Sequence, residues 1–223
     1  MSVLPAAAAA ALAVALTGLP AGLAWRRERR ARRRYQHHAT HDDLTGLPNR
    51  RAILHHLSTQ LLTGQPTGVI LLDLDLFKSV NDTYGHAAGN LLLTAVGERL
   101  STLVTPAVFL GRLHGDEFVF ITSGDRDRTS ALALTVTRAL THEPFLVGPD
   151  QRPVRVSGSV GYAQSALGLD APALLRLADE SLYEAKDTQR GSVHGVATTA
   201  SRRPHAAGSR PRDQRRHPTE HER

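Results

Sequence analysis

Residues 107–122 read AVFLGRLHGDEFVFIT. Two apolar runs, 107–113 and 117–122, flank a tight polar turn, and that pattern predicts a β-hairpin. The turn carries two adjacent acids, Asp116 and Glu117. Upstream, residues 72–90 read LDLDLFKSVNDTYGHAAGN and close an apolar run that begins at 68. Strand alternation there puts Leu72, Leu74 and Leu76 on one face and Asp73 and Asp75 on the other. Two carboxylates at the exposed end of a buried strand are costly unless they serve a cation or hydrogen-bond partners. Mg²⁺ suits such a place, because it takes one or two carboxylates and fills its shell with water and phosphate oxygens. The hairpin acids would bring a further carboxylate to the same ion. The ordinary alternative is a strand end with solvated acids.

Working outward, Ile53, Leu54, Leu57 and Leu61 recur at helical spacing, as do Leu92, Val96, Leu100 and Leu103. Residues 129–141 read as helix, 144–148 and 153–163 as extended chain, and Leu174, Leu175, Ala178 and Leu182 mark a last helix. The order α-β-α-β-β-α-β-β-α predicts an α+β domain, a mostly antiparallel sheet with helices packed on it. Between strand and helix lie Phe77-Lys78, Asn81-Asp82, Gly85-His86 and Gly89-Asn90, where the helix is expected to begin. A chain turning from strand into helix offers backbone N–H groups to phosphates. Asn81 carries both donor and acceptor groups, as reading a base edge requires. Lys186 and Arg190, four apart, share a helix face. They serve either as cations favourable to a helix C-terminus or as charges reaching a triphosphate.

Cysteine is absent, which removes disulfide and thiolate-metal chemistry. The chain holds 27 basic and 21 acidic side chains, but 26–34 contain seven Arg and one Glu, and 191–223 contain seven Arg and three acids. The remainder carries 13 basic and 17 acidic groups, a net of −4. A mildly acidic core is a poor match for a nucleic-acid backbone, so no nucleic-acid partner is expected. Residues 2–25 contain ten Ala, five Leu, two Val and no charge. That length spans a bilayer at about 20 residues, and the Arg cluster behind it keeps the following chain in the cytoplasm. The expected organisation is a transmembrane helix at 1–25, an Arg-rich linker helix at 26–40, a folded domain at 41–190 and a disordered basic tail at 191–223. The domain would face the cytoplasm from a single pass through the inner membrane. The alternative for the first segment is an Ala-rich tail that neither inserts nor folds.

These residues together resemble the GGDEF-domain family of diguanylate cyclases, which condense two GTP into cyclic di-GMP. The lead-in HDDLTGLPNR at 41–50, the run from Asp73 through Gly89, a variant HGDEF signature at 114–118 and LYEAKDTQR at 182–190 follow the family's motifs in order. The resemblance covers about two-thirds of the chain and implies a nucleotidyl-cyclase-like fold. It implies that Asp73, the carbonyl of Leu74 and Asp116 hold Mg²⁺, with Mn²⁺ as the alternative ion. Asp116 would also deprotonate the attacking ribose 3′-hydroxyl, and Glu117 would assist at the metal. Asn81, His86 and Asn90 would contact the guanosine, and Lys78, Lys186 and Arg190 the phosphates. Each protomer would bind one GTP, so the enzyme would act as a homodimer. Three departures stand out: His114 replaces a signature Gly, Asn90 replaces the usual Asp, and Thr105 and Val108 stand where many members carry the Arg and Asp of a product-inhibition site. The competing expectations are a non-catalytic module that binds GTP or a protein partner, and a structural domain with solvated acids.

Overall fold

The structure is a computed structural model and describes residues 39–148 and 150–196. At its centre runs β1 (Thr67–Leu74), buried along its whole length. It pairs antiparallel with β3 (Glu117–Ser123) on one side and β6 (Gly158–Gln164) on the other. β2 (Val108–His114) forms the expected hairpin with β3, and β7 (Val193–Val196) adds to β6 in parallel. The five-stranded order is therefore β2–β3–β1–β6–β7. A separate ribbon joins β4 (Phe145–Val147) to β5 (Arg152–Val154).

Among the described residues, four helices clothe this sheet. On one face, α1 (Arg50–Leu62) and α5 (Ala171–Thr188) pack Ile53, Leu57, Leu174, Ala178 and Leu182 against Val69, Leu71, Val119 and Ile121. On the other, α3 (His86–Ser101) and α4 (Arg126–Thr141) pack Leu92, Val96, Val136 and Leu140 against Ile70, Leu72, Phe118 and Phe120. The alternation of β1 thus divides its side chains between two cores. Local chemistry sets the helix starts. The side chains of Asn49, Asp125 and Asp170 accept N–H groups from the first turns of α1, α4 and α5, each satisfying donors that a helix start leaves free.

The α+β architecture and mostly antiparallel sheet match the expectation, with four differences. Residues 77–84, expected as a turn, form a short helix α2 (Phe77–Tyr84), and α3 starts at His86 rather than Asn90. α2 buries no residue fully and has no side-chain cap, and its helical apolar spacing, Phe77, Val80 and Tyr84, runs for only two turns. The single extended run expected over 153–163 is two strands in two sheets. β7 lies in what was expected to be tail, because sheet pairing orders a segment whose composition alone does not. Among the described residues no helix is long and apolar enough to cross a membrane. The span expected at 1–25, the linker before residue 39 and the tail from 197 lie outside the described residues.

Gly161 shows how closely α5 lies on the sheet. A Cβ there would collide with the backbone of α5 at Ala178 and Leu182. Overpacking against backbone cannot be relieved by a rotamer change, so Gly161→Ala should cost about 2–3 kcal/mol. In a domain of this size that lowers the melting temperature by roughly 5–10 °C, which calorimetry measures directly.

Candidate active site

The antiparallel register sets three side chains in a row at the end of β1. His114 on β2 stands opposite Glu117 on β3, and Glu117 stands opposite Asp73 on β1. Directly opposed residues share a face, here the one that α1 and α5 cover. A β-bulge between Arg112 and His114 creates this row, since two residues of β2 there span one of β3. His114 Nδ1 lies 2.9 Å from Glu117 Oε2. The left-handed residue of the turn is Gly115, at φ 54°, whereas His114 keeps ordinary strand backbone. The backbone at 114 therefore needs no glycine freedom, and a side chain is accommodated there.

Asp73 is only 3% exposed and forms a 2.7 Å ion pair with Lys186 Nζ, from the last turn of α5. Asp75 is also buried, and accepts hydroxyl hydrogen bonds from Ser157 and Ser159, both at 2.8 Å. Arg190 approaches Asp75 to 4.0 Å. The expectation of two acids at an exposed strand end is thus corrected. Asp73 neighbours the hairpin acids, whereas Asp75 belongs to a serine network on and beside β6. Asp116 is half-buried at the hairpin tip, and its carboxylate makes no hydrogen bond or ion pair among the described residues. Its carbonyl accepts from Leu74 N–H at 3.2 Å, tying the tip to the end of β1.

Asp73, Asp116, Glu117 and Lys186 therefore meet at one end of the sheet, with Arg190 beside them on Asp75. Lys78 and Asn81 lie on α2, and His86 and Asn90 on α3. Lys78, His86 and Asn90 are exposed. Asn81 lies against Gly89, where any added side chain would strike its Oδ1. The first N–H groups of α2, without a side-chain cap, have the character of a phosphate cradle.

Among the described residues, no three His, Asp or Glu side chains are gathered tightly enough to enclose a metal unaided. Mg²⁺ does not require three, because phosphate oxygens and water complete its shell. The oxygen donors fit it. Asp73 is a buried carboxylate that already draws a cation, and Asp116 is a carboxylate not engaged with another side chain among the described residues.

One residue that organises this site is absent from the predicted set. Buried Arg112 donates from Nε and one Nη to the carbonyl of Gly115, at 3.0 and 2.7 Å, and from the other Nη to Asp42 Oδ1 at 2.7 Å. It binds the lead-in segment to the signature turn. The available signal was a charge at an inward strand position shared with Val108 and Leu110, since a buried guanidinium demands partners. Burial pushes the Asp42 carboxyl up, but hydrogen bonds from Arg112 and Thr45 outweigh it and hold the group below the usual carboxylate range. A folded-state value below the unfolded one gives stability that is complete above the unfolded value and lost as pH falls through the folded one. Arg112→Ala should therefore cost about 2–3 kcal/mol at neutral pH and less in strong acid, as urea midpoints in the two conditions will measure.

A sequence profile described as "Diguanylate cyclase, GGDEF domain" matches residues 39–192. The response regulator PleD of Caulobacter vibrioides is 36% identical over 168 residues, covering 71% of this chain and 36% of PleD. The cyclic di-GMP phosphodiesterase PdeR of Escherichia coli is 39% identical over 169 residues, covering 74% of this chain and 25% of PdeR. The match thus spans between a quarter and about a third of these relatives' length. Among solved structures, the coiled coil and GGDEF domain of DgcB from Caulobacter crescentus, in complex with c-di-GMP, aligns with a TM-score of 0.75. It is 24% identical and covers 83% of this chain and 99% of that one, a likeness of fold. With the profile reaching across most of the chain and the site's acids in their register row, the protein belongs to the GGDEF-domain family of diguanylate cyclases.

Proposed function

We propose that this domain is one half-site of a diguanylate cyclase that binds a single GTP. Two protomers facing each other would condense two GTP into cyclic di-GMP and release pyrophosphate. The observation that carries this reading is the convergence of buried Asp73, Asp116 at the hairpin tip and Lys186 at the end of β1. Asn81, with His86 and Asn90, holds the guanosine. The uncapped N-terminus of α2, with Lys78, Lys186 and Arg190, holds the phosphates. Lys186 lies 2.7 Å from Asp73 and Arg190 4.0 Å from Asp75, so both cations stand at the end of β1 where the triphosphate would lie.

Asp73, the Leu74 carbonyl and Asp116 would hold Mg²⁺ or Mn²⁺, which supplies charge neutralisation at the triphosphate and polarises the reacting phosphorus. Asp116 takes the proton of the attacking 3′-hydroxyl. The new bond joins that 3′-oxygen to the α-phosphorus of the facing GTP, and the bond to the departing pyrophosphate breaks. Two reactants held face to face convert a bimolecular encounter into an oriented one, which is why the homodimer is part of the mechanism. The uncharged run at 2–25 followed by seven Arg at 26–34 supports a single-pass tether, with the domain on the cytoplasmic side.

A second reading, a non-catalytic module that binds GTP or a protein partner, is favoured by one observation: His114 already engages Glu117. The two readings part on activity. Chromatography of the products from GTP and Mg²⁺ should show cyclic di-GMP, and Asp116→Ala should lower its formation at least about a hundredfold. A folded protein that makes no product until His114→Gly and Asn90→Asp are introduced would establish the second reading instead.

A further inference from the structure

Lys186 is carried by α5, but Arg190 is not. The helix ends at Thr188, and Arg190 lies in the short loop that leads to β7. Beside this residue the loop is tied to the sheet through a serine. Gly191, at φ 80°, donates its N–H to Ser159 Oγ at 3.2 Å. The Ser159 hydroxyl in turn donates to Asp75 Oδ1 at 2.8 Å, and Ser157 donates to Oδ2 at the same distance. Arg190 Nη1 stands 4.0 Å from that same Oδ1. Asp75 therefore meets the Arg190 loop twice, once through Ser159 and once by charge. The two hydroxyls alone do not call for a carboxylate, since an Asn carboxamide would serve them as well. A buried carboxylate is far less favourable than a carboxamide unless a cation faces it, and the half-exposed guanidinium of Arg190 is that cation. At 4.0 Å the contact restrains Arg190 without occupying its N–H donors.

We propose that Asp75 is a positioning residue for the nucleotide: by its charge and through Ser159 it holds Arg190 where the guanidinium meets the triphosphate. Asp75 acts only through Arg190, and its role rests on the reading above that Arg190 contacts the phosphates. The sign of its effect separates this role from simple electrostatics. A carboxylate near a phosphate repels it, so on charge alone removing Asp75 would tighten nucleotide binding. A positioning role requires the opposite, because a guanidinium released from its restraint must be ordered again by the ligand.

The test is calorimetric binding of 3′-deoxy-GTP, which lacks the attacking hydroxyl, to the full chain with Mg²⁺. Arg190→Ala should weaken binding about tenfold or more. Asp75→Asn keeps the side-chain shape and still serves both serines, and should weaken binding about three- to tenfold. In an Arg190→Ala background the same Asp75→Asn change should alter binding by less than about twofold, a dependence that lost stability does not produce. Ser159→Ala cuts the same link, should follow the same pattern, and takes the place of Asp75→Asn if that variant does not fold. Unchanged or tighter binding in Asp75→Asn, or in Ser159→Ala where it stands in, overturns the inference and leaves the nucleotide site standing. So does an equal loss with and without Arg190. Unchanged binding in Arg190→Ala, or a natural chain that does not bind 3′-deoxy-GTP, overturns both the inference and the reading on which it rests.

Discussion

Burying the Asp73 carboxylate at the end of the central strand poses the electrostatic problem around which this end of the molecule is built. An ionised carboxylate withdrawn from water is unfavourable by several kcal/mol unless it is paired. β1 cannot move Asp73 outward, because the strand is held antiparallel on both sides and covered on both faces. The solution is the ammonium of Lys186, delivered by the last turn of α5. The close seating of α5 on Gly161 fixes where that turn lies. Packing in one part of the sheet therefore sets charge balance in another, and a divalent cation with its nucleotide would enter a place already arranged for positive charge.

The hairpin meets the same end by a different route. The bulge at 112–114 brings His114 and Glu117 opposite each other, while Arg112 secures the carbonyl of Gly115 and reaches back to Asp42. The lead-in segment and the signature turn thus share one guanidinium. A displacement of Asp42 is felt at the turn through the two 2.7 Å hydrogen bonds of Arg112. Arg suits this role because its rigid fork satisfies two acceptors at once.

How much of this was legible in the sequence follows from how each feature is encoded. The hairpin, β1 and the helices α1, α3 and α5 announce themselves by period, since their apolar residues must face a core. Asp73, Asp116 and Lys186 were placed from motif order, and the structure brings them to one end of the sheet. α2 is hard to read because its helical spacing, Phe77, Val80 and Tyr84, lasts only two turns and sits among turn-forming residues such as Asn81-Asp82 and Gly85. β7 was missed because Val193–Val196 is short and set in a Gly-, Ser- and Arg-rich stretch, and parallel pairing to β6 is a non-local property. The serine partners of Asp75 lie 82 and 84 residues away, a distance over which spacing carries no information. That His114 would oppose Glu117 depends on a bulge, and a one-residue shift of register is decided by turn geometry rather than by composition.

The most direct test of this account is a crystal structure of the protein with Mn²⁺ and 3′-deoxy-GTP, read through the anomalous signal of the metal. The account predicts a Mn²⁺ peak touching the carboxylates of Asp73 and Asp116, with Lys186 against the triphosphate. A nucleotide bound away from Lys186, with no metal at Asp73 and Asp116, would contradict it.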